Sequence, residues 1–247
     1  MFEQLLGFAL VLTRISAFFL VLPVFGWKTV PVPIRAAATV LLSLFFYAVA
    51  PLPTAIARVP ALRAFLMLSG EALYGLTLGL IIALLFAVIQ LSGRIVEQQM
   101  GLTMMEIVDP LTENESSPFA GLLEMIFVLL FLSANGHHLF LLVLSKSYEA
   151  FPSGSVPTLA SLVGGVIETN TAMFTAGLRL AAPMLAAFLV LMVALAMLAR
   201  LVPEMNILFV SMPVRMLLGM FLATAFLPFI NSFVTEMADW MGKLLPI

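Results

Sequence analysis

The sequence predicts an all-α membrane protein whose helices are long, broken and arranged in hairpins. Its mean hydropathy is +1.17, and only 10% of its residues are charged, whereas an ordinary soluble domain has about 25%. Several apolar runs reach the roughly 20 residues that a helix needs to cross a bilayer. Strand-like alternation is absent, and a segment in lipid must bond its own backbone groups, so helices are the predicted elements.

Composition also excludes several kinds of site. The formal net charge of -2 gives no clustered positive surface for nucleic acid. The absence of cysteine removes disulfides, thiolate metal sites and cysteine nucleophiles. At the N-terminus, Glu3 takes the place of a basic region and Arg14 interrupts the apolar run. We therefore expect the first helix to be retained, because these features do not suit a cleaved signal peptide.

The first helix is predicted from about Leu5 to Leu22, with Arg14 near its middle. An arginine at mid-span costs about 2.5–3.5 kcal/mol on insertion scales, so its side chain should face protein or water. We interpret it as a packed cation paired with a carboxylate such as Glu71. The alternative is a direct role of Arg14 in a conduit.

The second helix is predicted at Ile34–Ala50, after a loop whose three prolines cannot continue a helix. The third helix is predicted from Ala61 to Gln99, which is far longer than a bilayer requires. We expect it either to project beyond the membrane or to bend at one of its glycines. The pair Gly75 and Gly79 predicts contact with another helix, because small residues let two backbones approach closely.

A polar connection follows at residues 92–118. Its carboxylates lack a partner base or metal for catalysis. Met100, Met104 and Met105 share one helix face around Gly101, and they either fill gaps in the packing or form a deformable seal beside a conduit. The residues alone favour gap filling. The five acids of the connection are Glu97, Glu106, Asp109, Glu113 and Glu115.

Helices four and five are predicted at Phe119–Ala134 and His137–Ala150, as a hairpin that turns at Asn135 and Gly136. Pro118 suits the first position of helix four, with one of the two serines before it as the cap. Both helices are short for independent spans. This length predicts that they are buried in protein.

The remaining chain is predicted to form a short amphipathic helix at Thr158–Asn170 and a helix rich in small residues at Thr171–Leu201. A final helical region runs from Ile207 to about Gly242. We expect interruptions at Pro213 and Pro228, because proline removes a backbone donor and clashes with the preceding turn. Lysine and arginine are scattered over most loops, so the charge distribution selects no orientation.

Signatures of an enzyme or a metal site are missing from the sequence. His137 and His138 are the only histidines, and neighbouring helix positions point about 100° apart, which does not suit one metal ion. No HExxH motif, nucleophile elbow, phosphate loop or dinucleotide fingerprint occurs. We therefore expect no catalytic residue, cofactor or metal, and an intramembrane hydrolase using His137 is the least favoured alternative.

Motifs spread along nearly the whole chain carry a family resemblance. They are Arg14, Pro23 to Gly26, Val30 to Arg35, Gly75, Gly79, Gln98, Gly101, Asp109 and Pro110, Gly136 to His138, Ser147 to Pro152, and Pro203 to Asn206. Each motif alone has little specificity, whereas their order and spacing together are specific. In this combination the chain resembles the FliR family of flagellar export-gate subunits and their virulence-type relatives in type III secretion. The polar Gly-His-His turn is more similar to the flagellar members.

The resemblance implies a pore-forming, non-enzymatic subunit of the flagellar type III export gate, required for export of unfolded flagellar proteins and for flagellum assembly. It implies a fold like a fusion of a FliP-like part at residues 1–170 and a FliQ-like helical hairpin at residues 171–247, within a helical export-gate assembly. The implied partners are FliP-type and FliQ-type subunits, the FlhB-type switch protein, the FlhA-type export protein and membrane lipid. The implied location is the bacterial inner membrane, as a multi-pass protein of the flagellar basal body.

The family also has a plug loop that occludes the closed pore, and by position it corresponds to residues 103–118. With this resemblance the seal interpretation of the methionines becomes the favoured one. The predicted pore or plug residues are Met100, Gly101, Met104, Met105, Glu106, Asp109 and Pro110. The predicted helix-packing or buried-charge residues are Arg14, Glu71, Gly75 and Gly79.

Two other functions stay open. The chain is alternatively the corresponding export-gate subunit of a virulence type III secretion system. A stand-alone secondary transporter is suggested by the intramembrane Arg14 and by the prolines of the final helical region, which resemble broken transporter helices. The lack of an evident inverted repeat counts against the transporter.

Overall fold

The computed structural model describes residues 2–22, 30–49, 60–102, 117–155, 159–204 and 206–243. Within these ranges the regular secondary structure is entirely α-helical, which confirms the predicted fold class. The helices are α1 Phe2–Val21, α2 Val32–Val49, α3 Ala61–Met100, α4 Pro118–Ser133, α5 Gly136–Ala150, α6 Leu159–Leu201 and α7 Ile207–Lys243.

Several of these helices suit a membrane protein. Among the described residues, four helices are long and apolar enough to cross a membrane. Helices α4 and α5 pass the same test only when they are taken together as one broken span. The four segments are Gln4–Val21, Val32–Val49, Ala61–Met100 and Leu162–Leu201.

The predicted hairpin of the fourth and fifth helices is wrong. The chain bends by 71° between α4 and α5, which is far from a reversal of direction. Only Ala134 and Asn135 separate the two helices. The Ala134 N–H still donates to Leu130 O at 2.9 Å, and Asn135 alone takes a left-handed conformation with φ 59°. A break of two residues redirects the helix without folding it back.

Helix α2 begins two residues earlier than predicted and includes Pro33. Proline is tolerated in the first turn of a helix, where its missing N–H has no intrahelical acceptor in any case. The N–H groups of Ile34 and Arg35 both donate to Pro31 O, at 3.0 and 3.3 Å. The prolines therefore start this helix rather than delay it.

Helix α3 is one continuous element of 40 residues. The third helix therefore keeps its helical bonding through Gly70, Gly75, Gly79 and Gly93. At 1.5 Å per residue its length is about 60 Å, roughly twice the apolar thickness of a bilayer.

Helix α6 is also continuous, over 43 residues, so the predicted break between Asn170 and Thr171 is wrong. The hydroxyl of Thr171 donates to Ile167 O at 2.9 Å, and that of Thr175 donates to Ala172 O at 2.8 Å. These polar side chains bond to carbonyls of their own helix. They are accommodated in the helix without ending it.

Helix α7 continues through Pro213 and Pro228 over 37 residues, so the predicted interruptions are wrong as well. Each proline removes one N–H donor, while its neighbours keep their own backbone bonds. In apolar surroundings a full break would leave more backbone groups without partners. A continuous helix therefore loses fewer backbone hydrogen bonds than a broken one.

The chain packs into two compact units, Met1–Phe86 with Asn135–Thr171 and Met237–Ile247, and Ala87–Ala134 with Ala172–Glu236. In the first unit, aromatic pairs join the helices: Phe8 lies 5.9 Å from Tyr47, and Phe46 lies 5.6 Å from Tyr148, between ring centroids. In the second unit a buried apolar cluster joins α3 to α6. Its members are Val96, Met100, Met184 and Phe188. The predicted FliP-like and FliQ-like parts stay a prediction.

Candidate functional site

Helices α1 and α3 touch through their backbones at two glycines. A Cβ atom on Gly75 would clash with the carbonyl oxygen of Arg14, and one on Gly79 would lie 2.7 Å from Phe18 O. Two helices can come this close only where one of them has glycine, because a Cβ atom would collide with the backbone of the other. A backbone atom, unlike the end of a flexible side chain, cannot move aside. Gly75 lies one helical turn after Glu71, so this contact brings Arg14 beside that carboxylate.

Arg14 and Glu71 form a buried, two-point ion pair. Arg14 Nε donates to Glu71 Oε2 at 2.5 Å, and Arg14 Nη2 donates to Glu71 Oε1 at 3.1 Å. The two side chains are 1% and 0% exposed. A guanidinium matches a carboxylate in this paired geometry, which adds orientation to charge attraction.

The same guanidinium also holds the C-terminal end of α5. Arg14 Nη1 donates to Ser147 O at 3.1 Å and to Ser147 Oγ at 3.3 Å, and Arg14 Nη2 donates to Phe151 O at 2.9 Å. A cation is favourable here because the C-terminal end of a helix carries partial negative charge. All five N–H donors of the guanidinium are therefore bonded to protein groups, and none remains for a solute.

Glu71 holds the turn that follows α5. Its Oε1 accepts a hydrogen bond from Gly154 N at 2.6 Å. Gly154 has φ +84°, a conformation that favours glycine, and Ser155 N closes the turn on Pro152 O at 3.0 Å. The carboxylate thus bonds both the cation and the turn.

Two tyrosine rings enclose the cation. The Arg14 Cζ atom lies 4.8 Å from the Tyr74 ring centroid and 4.3 Å from that of Tyr148. Such cation–π contacts add to the ion pair when water is excluded. Arg14, Glu71 and the groups that they contact thus form a buried cluster, which we call the clamp. The clamp joins α1, α3 and α5, and its role is structural.

The sequence did not identify the other members of this clamp. Tyr74 could have been predicted to lie beside Glu71, because it follows Glu71 by three residues and such positions share one helix face. Ser147 and Tyr148 appeared only among the family motifs. Gly154 carried no signal, because its bond to Glu71 joins residues 83 positions apart.

The second group of predicted residues begins where α3 ends, at Gly101. The Gly101 N–H donates to Gln98 O at 3.1 Å, and the Leu102 N–H donates to Glu97 O at 3.3 Å. Gly101 has φ +80°. These bonds and this conformation form a Schellman cap, in which glycine is favoured because other residues are strained there. The role of Gly101 in the described structure is to terminate α3.

Met100 lies in a notch of α7. Its side chain is 3% exposed, and a Cβ on Gly219 would come within 2.5 Å of its sulfur atom. Met100 also belongs to the apolar cluster of Val96, Met184 and Phe188. An unbranched thioether suits such an irregular space. Met100 therefore fills a gap between helices.

The remaining plug candidates lie outside the described residues. They are Met104, Met105, Glu106, Asp109 and Pro110. The hypothesis of a deformable seal formed by Met100, Met104 and Met105 therefore stays a prediction. The described part of the chain contains no group of three or more His, Cys, Asp or Glu residues arranged to hold a metal ion. His137 and His138 are both exposed.

Comparison with known proteins gives one consistent result. Residues 5–241 match the family model described as bacterial export proteins, family 1. The chain belongs to this family. The match runs from α1 to α7, so the family region contains the clamp and both ends of the polar connection.

Members of the family with established names are similar over most of their length. Flagellar biosynthetic protein FliR of Bacillus subtilis (strain 168) is 32% identical over 219 residues, which cover 85% of this chain and 81% of that protein. The protein of the same name from Escherichia coli (strain K12) is 27% identical over 235 residues, covering 95% and 89%. That of Aquifex aeolicus (strain VF5) is 28% identical over 233 residues, covering 93% and 88%.

Proposed function

We propose that this chain is a pore-forming, non-enzymatic subunit of the flagellar type III protein export gate. One observation carries the proposal: the match to the bacterial export family covers residues 5–241, and the named relatives are flagellar biosynthetic proteins. The long apolar helices support placement in a membrane. The buried Arg14 supports a scaffold rather than a transporter, because its donors are all bonded to protein.

Membership of an export gate implies which subunits the chain binds and in which membrane it lies. The chain assembles with FliP-type and FliQ-type subunits, adjoins the FlhB-type switch protein and works with the FlhA-type export protein. The assembly lies in the bacterial inner membrane within the flagellar basal body. Unfolded flagellar proteins pass through its pore. The exposed apolar side chains of the isolated chain, such as Leu41, Phe45 and Val190, are then covered by these subunits and by lipid.

Removal of the chain from its own host tests the function. We expect flagellar proteins to disappear from the culture medium and motility to be lost, with both restored by re-expression of the unaltered chain. Normal flagella after removal would overturn the proposal. Loss of a virulence secretion system with intact flagella would instead support the alternative function.

Purification from the native membrane tests the assembly. A tagged chain should retain FliP-type and FliQ-type subunits, identified by mass spectrometry of what remains bound. Recovery of the tagged chain alone, in a detergent that preserves other membrane complexes, would contradict membership of an export gate.

The connection between α3 and α4 is proposed as the plug of the pore. Support comes from its position after Gly101, from its acidic composition and from the resemblance to the family. Replacing residues 103–116 by a short Gly–Ser linker should leave co-purification with the partners unchanged but let small solutes leak across the membrane. The same linker in place of residues 53–58, between α2 and α3, is the matched control. A membrane that stays tight in the first variant would exclude the plug.

A further inference from the structure

Glu97 is a second buried carboxylate, placed in the last turns of α3. Glu97 is 1% exposed and lies one turn before Met100. Carboxylates are seldom this buried unless they are paired. Unlike Glu71, it has no ion pair among the described residues.

The contact that Glu97 makes is with the start of α4. Its Oε2 accepts a hydrogen bond from the Ala120 N–H at 3.4 Å. Ala120 is the third residue of α4, and the first N–H groups of a helix have no partner within the helix. Ser117 occupies the N-cap position but makes no side-chain capping bond. A carboxylate from α3 therefore takes the place of the local cap, at the end of the helix where negative charge is favourable.

Gly93 makes this contact possible. It lies one turn before Glu97 on the same face of α3. A Cβ on Gly93 would lie 2.8 Å from the Ala120 Cα and 3.0 Å from its Cβ, so the two helices approach at the limit that glycine allows. Ala120 is thus held by backbone contact with Gly93 and by the hydrogen bond to Glu97.

The other oxygen of Glu97 limits what this residue contributes to stability. Its Oε1 is buried and has no hydrogen-bond partner among the residues that the structure describes. A buried polar atom without a partner lowers stability, whereas an apolar side chain of similar size avoids that loss. The presence of a carboxylate here is explained by its one bond, to the first turn of α4.

We propose that Glu97 is a positioning residue that fixes the start of α4 against the end of α3. It thereby holds together the two points from which residues 103–116 depart. The bond is single and, at 3.4 Å, longer than an ordinary N–H···O bond, so it is releasable, and its loss should change an equilibrium about twofold to fivefold. The contact between α3 and α4 does not depend on the proposed function. The consequence for the pore does rest on it.

Spin labels test the contact directly. The chain has no cysteine, so Gln98→Cys and Gly121→Cys give one unambiguous pair of labels. Both positions are exposed, and a Cβ on Gly121 meets no atom within 4 Å. In the complex purified from its membrane, Glu97→Met should lengthen and broaden the distance between the labels, because methionine fills the space without an acceptor.

Two further variants separate a positioning role from ordinary packing. Glu97→Gln keeps a carbonyl oxygen for the Ala120 N–H and should restore the narrow distribution. Ser92→Ala is the matched control, because Ser92 is buried and its hydroxyl bonds within α3, to Ile89 O. An unchanged distribution in Glu97→Met would overturn the proposal, as would a change in Ser92→Ala equal to that in Glu97→Met. If Glu97→Met fails to assemble, Glu97→Ala gives the same comparison.

Leakage of a small solute through the assembled complex is the second measurement. We expect Glu97→Met to raise it about twofold to fivefold with unchanged co-purification of the partners. A lengthened distance without leakage would keep the role of Glu97 and overturn the plug. An unchanged distance would overturn the role of Glu97 whether or not residues 103–116 close the pore.

Discussion

The carboxylates of Glu71 and Glu97 lie in the same helix, each on a residue that is 1% exposed, and their surroundings differ in almost every other respect. Glu71 receives two bonds from Arg14 and one from Gly154 N. Within the described part of the chain, Glu97 receives one bond of 3.4 Å, and its other oxygen has no partner there. Glu71 therefore accepts three hydrogen bonds, whereas Glu97 accepts one from the described residues.

The number of groups bonded to a buried charge determines how firmly it is held. A buried ion is stable when an opposite charge is close and its remaining lone pairs are bonded. Around Glu71 both conditions hold, so the cluster fixes α1, α3 and α5 in one arrangement. Around Glu97 neither condition is fully met, so the contact is weaker and can separate. The first unit contains a clamp and the second a releasable contact.

The largest effect is expected from Glu71→Met. It leaves Arg14 buried without its counter-charge, which should lower the free energy of unfolding by about 3–5 kcal/mol. Thermal unfolding of the purified protein in detergent measures the loss. Ser69→Ala is the control, since Ser69 is only half-buried and its hydroxyl bonds within its own helix, so a change within about 0.5 kcal/mol is expected. Removing both charges, with Arg14→Met added, should recover part of the loss. A stable Glu71→Met protein would show that the clamp contributes little.

A smaller but clear loss is expected from Gly75→Ala. The added Cβ meets the carbonyl oxygen of Arg14, so α1 must shift and the ion pair is strained, at a cost of about 1–3 kcal/mol. Gly121→Ala is the matched change in α4, because nothing lies within 4 Å of its Cβ and alanine favours a helix by up to about 1 kcal/mol. Equal unfolding temperatures for the two variants would argue against the close contact of α1 and α3.

The smallest effects are expected at the start of α4. Glu97→Met should change the free energy of unfolding by about 1 kcal/mol or less, because one cap is lost while an oxygen without a partner is also removed. Ser117→Ala should stay within about 0.5 kcal/mol, because Ser117 makes no side-chain capping bond. Thermal unfolding again measures both. A loss at Ser117 larger than that at Glu97 would reverse the assignment of the cap.

Local signals predicted the helices well wherever the signal was chemical and short in range. Pro118 was predicted at the first position of α4 and is its first residue, and the end of α3 predicted at Gln99 lies one residue before the observed end at Met100. The same local rules failed at Asn170, Pro213 and Pro228. They describe helices in water, where an unbonded backbone group finds a solvent partner, and apolar surroundings penalise a broken helix more strongly than a polar residue or a proline inside it.

The all-helical class, the family resemblance, the glycine pair of α3 and the need of Arg14 for a carboxylate could all be predicted from the order of the amino acids. These follow from hydropathy, residue size and charge, which each residue carries wherever it lies. The number of hydrogen bonds that each carboxylate receives could not be predicted in this way. Glu71 meets Gly154 across 83 positions, and Glu97 meets Ala120 across 23. Such partners are set by where separate segments come together, and that depends on the packing of the whole unit.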